Sequence, residues 1–303
     1  MLPTSSPTDF THPIQLPATD EVRREWQLLN RAWWEQHPMR YDAWGRVQHK
    51  PFTEPFYCEI DARFYACLAE MLPWRDTPFD ALVDFDALGS KDVLEIGVGC
   101  GTHAELLSRR ARQFTGIDLT DYAVACTTNR FALRHLDGRI LRMDAEQMAF
   151  EDEQFDFVWS WGAVHHSADT SRILREVHRV LRPGGRVFMM VYHRSPWNTF
   201  VRGALYYGLL QGEFLRGKSV HRIIQDASDG AIARYYRRDE WKAALGDRFR
   251  LERMQVIGQK AQLVPFPPRI KASAMALVSD GLARFISNRP SVGYLLVSTF
   301  TKQ

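Results

Sequence analysis

Through the middle of the chain, short apolar runs alternate with stretches whose apolar residues fall three and four apart. Val93 to Ile96, Phe114 to Asp118, Arg139 to Met143, Phe155 to Trp161 and Arg186 to Tyr192 are runs of strand length, and the first is closed by glycines. Continuous apolar runs of this kind mark strands buried on both faces of a parallel sheet. Between them, residues 103–112, 121–134 and 170–181 carry helical periodicity. The last of these helices ends at Arg182-Pro183-Gly184-Gly185, whose Pro-Gly step predicts a turn. Strands alternating with helices predict βαβ units, and hence an α/β, Rossmann-like doubly wound sheet.

The flanks have a different texture. Residues 1–20 are rich in Pro, Thr and Ser and are expected to form a flexible leader. Val22, Trp26, Leu29, Trp33 and Trp34 then fall at helical spacing until Pro38, and Ile60, Phe64, Leu68 and Met71 form a second amphipathic stripe closed by Pro73. After Tyr192 the rhythm breaks into a mostly helical stretch rich in Tyr, Arg and Gly. Phe249 to Ile257 and Tyr294 to Phe300 are expected to be a closing antiparallel pair, separated by a proline cluster (Pro265, Pro267, Pro268) and an apolar helix. The pattern divides the chain into a leader (1–20), an N-terminal helical lid (21–88), a core (89–192), a helical substrate cap (193–248) and C-terminal strands with a helical insertion (249–303).

Composition narrows this picture. At 303 residues and 45% hydrophobic, the chain is long enough to bury a core without disulfides or a structural metal. A net charge of +3, with no clustered basic stripe, gives no reason to expect a nucleic-acid partner. Cys58, Cys67, Cys100 and Cys126 lack CxxC spacing and are expected to be free thiols. No metal motif, signal peptide or membrane span is read from the pattern, and a cytoplasmic protein is expected.

The chemistry concentrates at Glu95-Ile96-Gly97-Val98-Gly99-Cys100-Gly101-Thr102, between a strand and a helix. Glycines there admit close approach of a ligand to the backbone, and the helix N-terminus beyond offers free N–H groups. Asp118, at the end of the second strand, stands where an acid accepts hydrogen bonds from a ribose diol. Asp144-Ala145, after the third strand, is placed to border a flat base. Glu95 would repel a pyrophosphate but suits a cationic ligand.

Taken together, Val93 to Thr102, Gly116 to Leu119, Asp144-Ala145, Phe155-Asp156 and Leu181 to Gly185 resemble the motif series of class I S-adenosylmethionine-dependent methyltransferases. The subgroup they resemble is type 11, which includes ubiquinone- and menaquinone-biosynthesis enzymes. The resemblance covers residues 90–192. It implies a seven-stranded mixed sheet of order 3-2-1-4-5-7-6 with strand seven antiparallel. It implies S-adenosyl-L-methionine as cofactor, leaving as S-adenosyl-L-homocysteine. Gly97, Gly99 and Gly101, with Glu95 and Thr102, would line its methionine part. Asp118 would hold the ribose, Leu119 would pack on adenine, and Asp144 and Ala145 would flank its edge. Trp161 and Gly162 would approach the methionyl tail, although Trp161 stands where the subgroup has a smaller residue.

His165 and His166 follow strand four, and with Tyr41 they are the candidate catalytic residues. The aromatic stripe of Trp26, Trp33 and Trp34 is expected in the core, with Tyr41 and Trp44 beyond the Pro38 break. Tyr65, Tyr192, Trp197, Tyr206, Tyr235 and Arg234 are candidates for the acceptor pocket. Aromatic and basic residues together suit an apolar acceptor with an anionic group, such as a terpenoid, polyketide or quinone precursor. No Asp/Asn-Pro-Pro-Tyr run follows strand four, which speaks against methylation of nucleic-acid bases. Two other readings stay open: a non-catalytic binding module of the same fold, and a nicotinamide-dependent oxidoreductase, which the acid at Glu95 and the missing GxGxxG disfavour. Homo-oligomerisation is also left open, since the aromatic N-terminal helix can pack on its own chain or on a neighbour's.

Overall fold

The computed structural model describes residues 6–41, 45–263 and 277–303. Trp44 and the proline cluster of 265–268 lie outside the described residues. Eight strands form one sheet: β1 (Asp92–Ile96), β2 (Gln113–Asp118), β3 (Arg139–Arg142), β4 (Phe155–Trp161), β5 (Leu181–His193), β6 (Tyr235–Tyr236), β7 (Phe249–Ile257) and β8 (Leu295–Lys302). The order is β3-β2-β1-β4-β5-β8-β7. The five central strands run parallel, and β8 is antiparallel to both β5 and β7. With the seven long strands numbered by themselves, this is the order that the motif series implies.

The extra strand β6 comes from the segment expected to be a helical cap. It pairs in parallel with β5 at Tyr192↔Tyr235 and His193↔Tyr236. At Tyr192 the other edge of β5 is already taken by Leu295 of β8, so β6 occupies the edge that β4 vacates after Trp161. That pairing carries residues 228–236 to the end of β4, where the site is built.

Along β1, Val93 enters the apolar layer on one face while Leu94 and Ile96 enter the other, the period-two alternation of a strand. One layer is closed by α5 (Thr170–Val180) and α7 (Arg238–Leu245) through Leu174, Val177 and Trp241. The other is closed by α2 (Glu54–Met71), α3 (Thr102–Ser108) and α4 (Asp121–Leu133). Thus α2 is core: Phe56, Tyr57, Ile60 and Leu68 are fully buried. It starts at Glu54, earlier than the apolar stripe suggests, with Pro55 in the first turn where its missing N–H costs nothing.

A buried ion cluster fastens α2 to the sheet layer. Arg130 of α4, 1% exposed, reaches Asp61 of α2 at 2.6 Å and Glu105 of α3 at 2.8 Å, and Arg134 bridges the same two acids. Thr102 Oγ1 also donates to Asp61 (2.8 Å), and Arg130 donates to the Cys100 carbonyl, so the cluster grips the glycine loop itself.

Helix α1 (Asp20–Gln36) is capped by Thr19, whose hydroxyl accepts from the Val22 N–H. Residues 6–19, within the expected flexible leader, are packed against the domain. Phe10 is buried against Trp26, Ala168 and Ile232, and the Pro13 carbonyl accepts from the Tyr235 N–H. An apolar ring with a matching pocket anchors a Pro/Ser-rich segment that composition alone leaves free.

Two further departures concern the C-terminal half. The Pro183-Gly184 step keeps a positive φ at Gly184, but Leu181 already pairs with Phe155, so β5 begins there and carries a register break. After β5 comes a π-helix, Trp197–Leu210, followed by a 3₁₀ turn (Glu213–Arg216) and α6 (Val220–Asp226). Between β7 and β8, the described helix is α8 (Asp280–Ser287).

Candidate active site

A cavity of about 680 Å³ opens at the C-terminal ends of β1, β2, β4 and β5. In parallel α/β sheets this is the end where ligands bind. One half is the glycine loop and the ends of β2 and β3; the other is walled by α2, the π-helix and the segment before β6.

The glycine loop turns on three positive φ values, +87° at Gly97, +53° at Gly99 and +82° at Gly101. At Gly97 a Cβ would stand 2.4 Å from the Ala163 Cβ, so this glycine lets the loop press against the one after β4. At Gly99 a Cβ would meet nothing within 4 Å, so the backbone there faces open cavity. Gly101 instead backs onto Thr127 and Arg130 of α4 and does not line the cavity. Thr102, Trp161 and Gly162 do line it.

Asp118 stands across from Gly99. It accepts from the Gly99 N–H (3.2 Å) and from the Thr120 N–H and hydroxyl (3.0 and 2.8 Å). Burial raises its pKa, while these donors hold it down. Leu119, Met143 and Ala145 supply an apolar wall beside it, and Asp144 accepts from the Gln27 side chain of α1 at 2.9 Å. Its neighbour Glu146 is a clamp: it takes Arg23 of α1 at 2.9 Å, the Ser167 hydroxyl at 2.6 Å and the Asp169 N–H at 2.8 Å.

Glu95 lies behind Gly97, fully buried, and neither carboxylate oxygen has a hydrogen-bond partner among the described residues. His103 Nδ1 lies 3.6 Å from one of its oxygens. Burial, with the negative charge of Asp118, drives the pKa of Glu95 well above the carboxylate range. Burial also takes His103 down to about 3, so the two face each other uncharged. The sequence reading took Glu95 as a charged wall of the pocket; the structure places it one layer back, where burial favours the protonated acid. An orphaned acid in a native interior calls for a donor. With the open backbone at Gly99 and the acceptor Asp118, it fits a ligand carrying a cationic amino-acid end and a ribose, which is the chemistry of S-adenosylmethionine.

The candidate catalytic residues separate. His166 lines the cavity; its Nδ1 lies 2.7 Å from the Ile232 carbonyl, and burial lowers its pKa to about 4. His165 is wholly buried and off the cavity, packed at a tilt between the rings of His166 (4.1 Å) and Tyr192 (3.9 Å). Tyr41 lines the cavity with φ +57° and packs on Phe64.

The acceptor candidates separate too. Tyr192 and Tyr235 line the cavity, with ring centroids 5.2 Å apart. Arg234 does not: its guanidinium is buried over the Phe10 ring and donates to the carbonyls of Gln15, Ser167 and Ala168. Trp197 is a tie, its indole donating to the Gln262 carbonyl at 3.0 Å. Tyr65 faces Trp74, and Tyr206 yields its place to Tyr207. The tryptophan stripe also splits, since Trp26 is core whereas Trp33 and Trp34 reach the cavity, Trp34 edge-on to His166 at 4.8 Å.

Asp229 and Tyr294, neither singled out from sequence, also line the chamber, as does Arg202, one of the arginines of the expected substrate cap. Arg202 is steadied by Asn198 at 3.0 Å. Asp229 stays accessible while the packing around its carboxyl raises its pKa. The Asp229-Gly230 turn was the available signal, but only the β5–β6 pairing brings it to the site.

A sheet of this order, with an acid after β2 facing a glycine loop after β1, defines the class I S-adenosylmethionine-dependent methyltransferase fold. The family model described as "Methyltransferase domain" matches residues 94–189, and this segment is a type 11 domain of that class. The phthiotriol/phenolphthiotriol dimycocerosates methyltransferase of Mycobacterium tuberculosis H37Rv is 42% identical over 100 residues, which are 32% of this chain and 36% of that protein. The ubiquinone biosynthesis O-methyltransferase of Pseudomonas aeruginosa is 34% identical over 114 residues, 36% of this chain and 47% of that protein. The chain thus spans less than half the length of these relatives. The geranyl diphosphate C-methyltransferase of Streptomyces coelicolor A3(2) shares the fold over 95% of this chain and all of that one, with a TM-score of 0.55 at 15% identity.

Proposed function

We propose that the protein binds S-adenosylmethionine and methylates a small apolar acceptor held in the chamber between the glycine loop and the π-helix. The observation that carries this reading is one continuous cavity, with the Gly99–Asp118 cradle at one end and Tyr192, Tyr235 and Tyr294 at the other. When bound, S-adenosylmethionine supplies a methyl group already activated on sulfur, so the chain's own task is to orient the acceptor and exclude water.

Asp118 would hold two hydroxyls by acceptance, and Glu95, buried behind Gly97 and off the cavity wall, would act on a ligand's ammonium group only through the field of its carboxyl. His166 serves the acceptor. Ile232 fixes its Nδ1 as the protonated nitrogen, which leaves Nε2 as a lone pair for an acceptor hydroxyl or amine. Asp229, with its raised pKa, is the second group able to take that proton. Tyr41 and Trp34 close over the reacting end, and the aromatic walls suit a terpenoid, polyketide or quinone-like body. Arg202 is the cation available there for an anionic group.

Calorimetric titration with S-adenosylmethionine, S-adenosylhomocysteine and NADH tests the reading. Binding of the first two alone is expected. Binding of NADH alone would overturn it, and binding of none would favour a module of the same fold without turnover.

A further inference from the structure

Helix α1 lies outside the segment that the family model matches, residues 94–189, yet it lines the cavity. It is tied down at two places. Gln27 donates to Asp144, after β3, at 2.9 Å, and its amide oxygen accepts from the Ala168 N–H at 3.1 Å. Two turns further on, Glu35 accepts from the backbone N–H groups of Asp121 and Tyr122 at the start of α4, both at 2.9 Å. The helix therefore runs from the loop after β3 to the loop after β2 and crosses the slot that Ala145 and Leu119 line. Asn30 stands between the two ties, one turn from Gln27 and on the same face. It lines the cavity while only 3% exposed, and its Oδ1 has no hydrogen-bond partner among the described residues. Gln27 has both ends of its amide engaged, whereas Asn30 holds a buried amide oxygen with nothing to accept from.

A buried polar atom in a native interior calls for a partner, and the cavity is the side from which one can arrive. We infer that Asn30 binds the edge of the cofactor's adenine ring, which makes α1 a lid that reads the base. This contact rests on the proposed function and adds to it the group that closes the nucleoside end. With the ribose at Asp118 and the methionyl end at the glycine loop, the slot under α1 is left for the base. Leu119 and Ala145 give that slot apolar walls suited to a flat ring. The edge of adenine carries an amino donor beside a ring-nitrogen acceptor. The carboxylate of Asp144 can accept from the amino group but has no hydrogen to give the ring nitrogen. Its Oδ1 is, moreover, already engaged by Gln27 and by the Glu146 N–H. An asparagine amide carries a donor and an acceptor side by side, and it pairs with adenine through two bonds.

The test is calorimetric titration of the full chain with S-adenosylhomocysteine and with the analogue in which purine, lacking the amino group, replaces adenine. The wild type is expected to prefer the adenine compound by about tenfold or more. Asn30→Leu keeps a branched side chain and removes both the donor and the acceptor. It should bind S-adenosylhomocysteine about tenfold more weakly and the purine analogue only about threefold more weakly, so that the preference shrinks. Asn30→Ala, which leaves space where leucine fills it, should show the same narrowing. Without ligand, Asn30→Leu should melt no lower than the wild type, because the amide oxygen it removes has no partner there. Variants that bind S-adenosylhomocysteine as tightly as the wild type, or that weaken both ligands by one factor, would overturn the inference. So would a ligand-free Asn30→Leu that melts well below the wild type, since Asn30 would then serve the fold. A wild type that binds neither compound would instead remove the cofactor site itself.

Discussion

The Nδ1 of His166 lies 2.7 Å from the backbone carbonyl oxygen of Ile232. A carbonyl only accepts, so this contact fixes the tautomer. It also joins two segments 66 residues apart, the turn after β4 and the stretch before β6. Burial keeps the ring neutral down to about pH 4. Its contribution to methyl transfer should therefore be flat from pH 6 to 8, without the fall below about 6.5 that an unperturbed histidine gives. His166→Ala should lower kcat by about 10²–10⁴-fold while leaving S-adenosylhomocysteine binding intact. A pH–rate profile and a calorimetric titration check both halves.

Asp118 accepts from the backbone of the glycine loop and also faces the cavity. Asp118→Ala should weaken S-adenosylmethionine binding by about 1–3 kcal/mol, the cost of leaving polar partners unpaired. Unchanged affinity in calorimetry would remove Asp118 from the cofactor site.

Gly97 and Gly99 both have positive φ but different surroundings. In Gly97→Ala the new methyl meets Ala163, so strain adds to overpacking, and a loss of about 2–4 kcal/mol of stability is expected. In Gly99→Ala the methyl enters open cavity and only the positive φ costs, about 1–2 kcal/mol. The second variant should fold and yet lose cofactor affinity, because its methyl fills the cradle. Urea denaturation and calorimetry separate the two.

Glu95 gives a pH-dependent test of stability. Its folded pKa is raised, so its favourable contribution is complete below the unfolded value of about 4.5 and is lost as pH climbs toward the folded one. In cofactor-free protein, Glu95→Gln should therefore gain on the wild type in denaturation midpoint as pH rises from 5 to 8. Cofactor binding should weaken in the same variant. A constant difference across that range would mean that Glu95 is ionised in the fold.

Arg130 ties α2, α3 and α4 to the Cys100 carbonyl while 1% exposed. Removing it leaves Asp61 and Glu105 short of a partner. Arg130→Ala should cost about 3–5 kcal/mol, read as a shift in the urea midpoint.

Much of the sheet was legible along the chain. The β4 and β7 boundaries were read as they stand, because buried parallel strands are continuous apolar runs and antiparallel edges alternate. The glycine loop, Asp118 and Asp144-Ala145 were grouped from sequence and do meet at one cavity, because a close backbone turn and a strand-end acid restrict the residue type at each place. The acceptor side could not be read in that way. Tyr206 and Tyr207 look alike in sequence, and the pitch of a π-helix decides which of them reaches the cavity. Arg234 looked like an anion-binding residue until the packed segment around Phe10 and Gln15 engaged its guanidinium. Asp229 carries no periodicity, and the β5–β6 pairing alone brings it to the chamber that His166 lines. Local chemistry and repeat patterns determined the half of the cavity proposed for the cofactor, because there the requirement falls on individual residues and their neighbours in sequence. Tertiary structure decided the acceptor half, because that chamber is made where segments distant in the chain meet, and which side of each segment faces inward depends on packing.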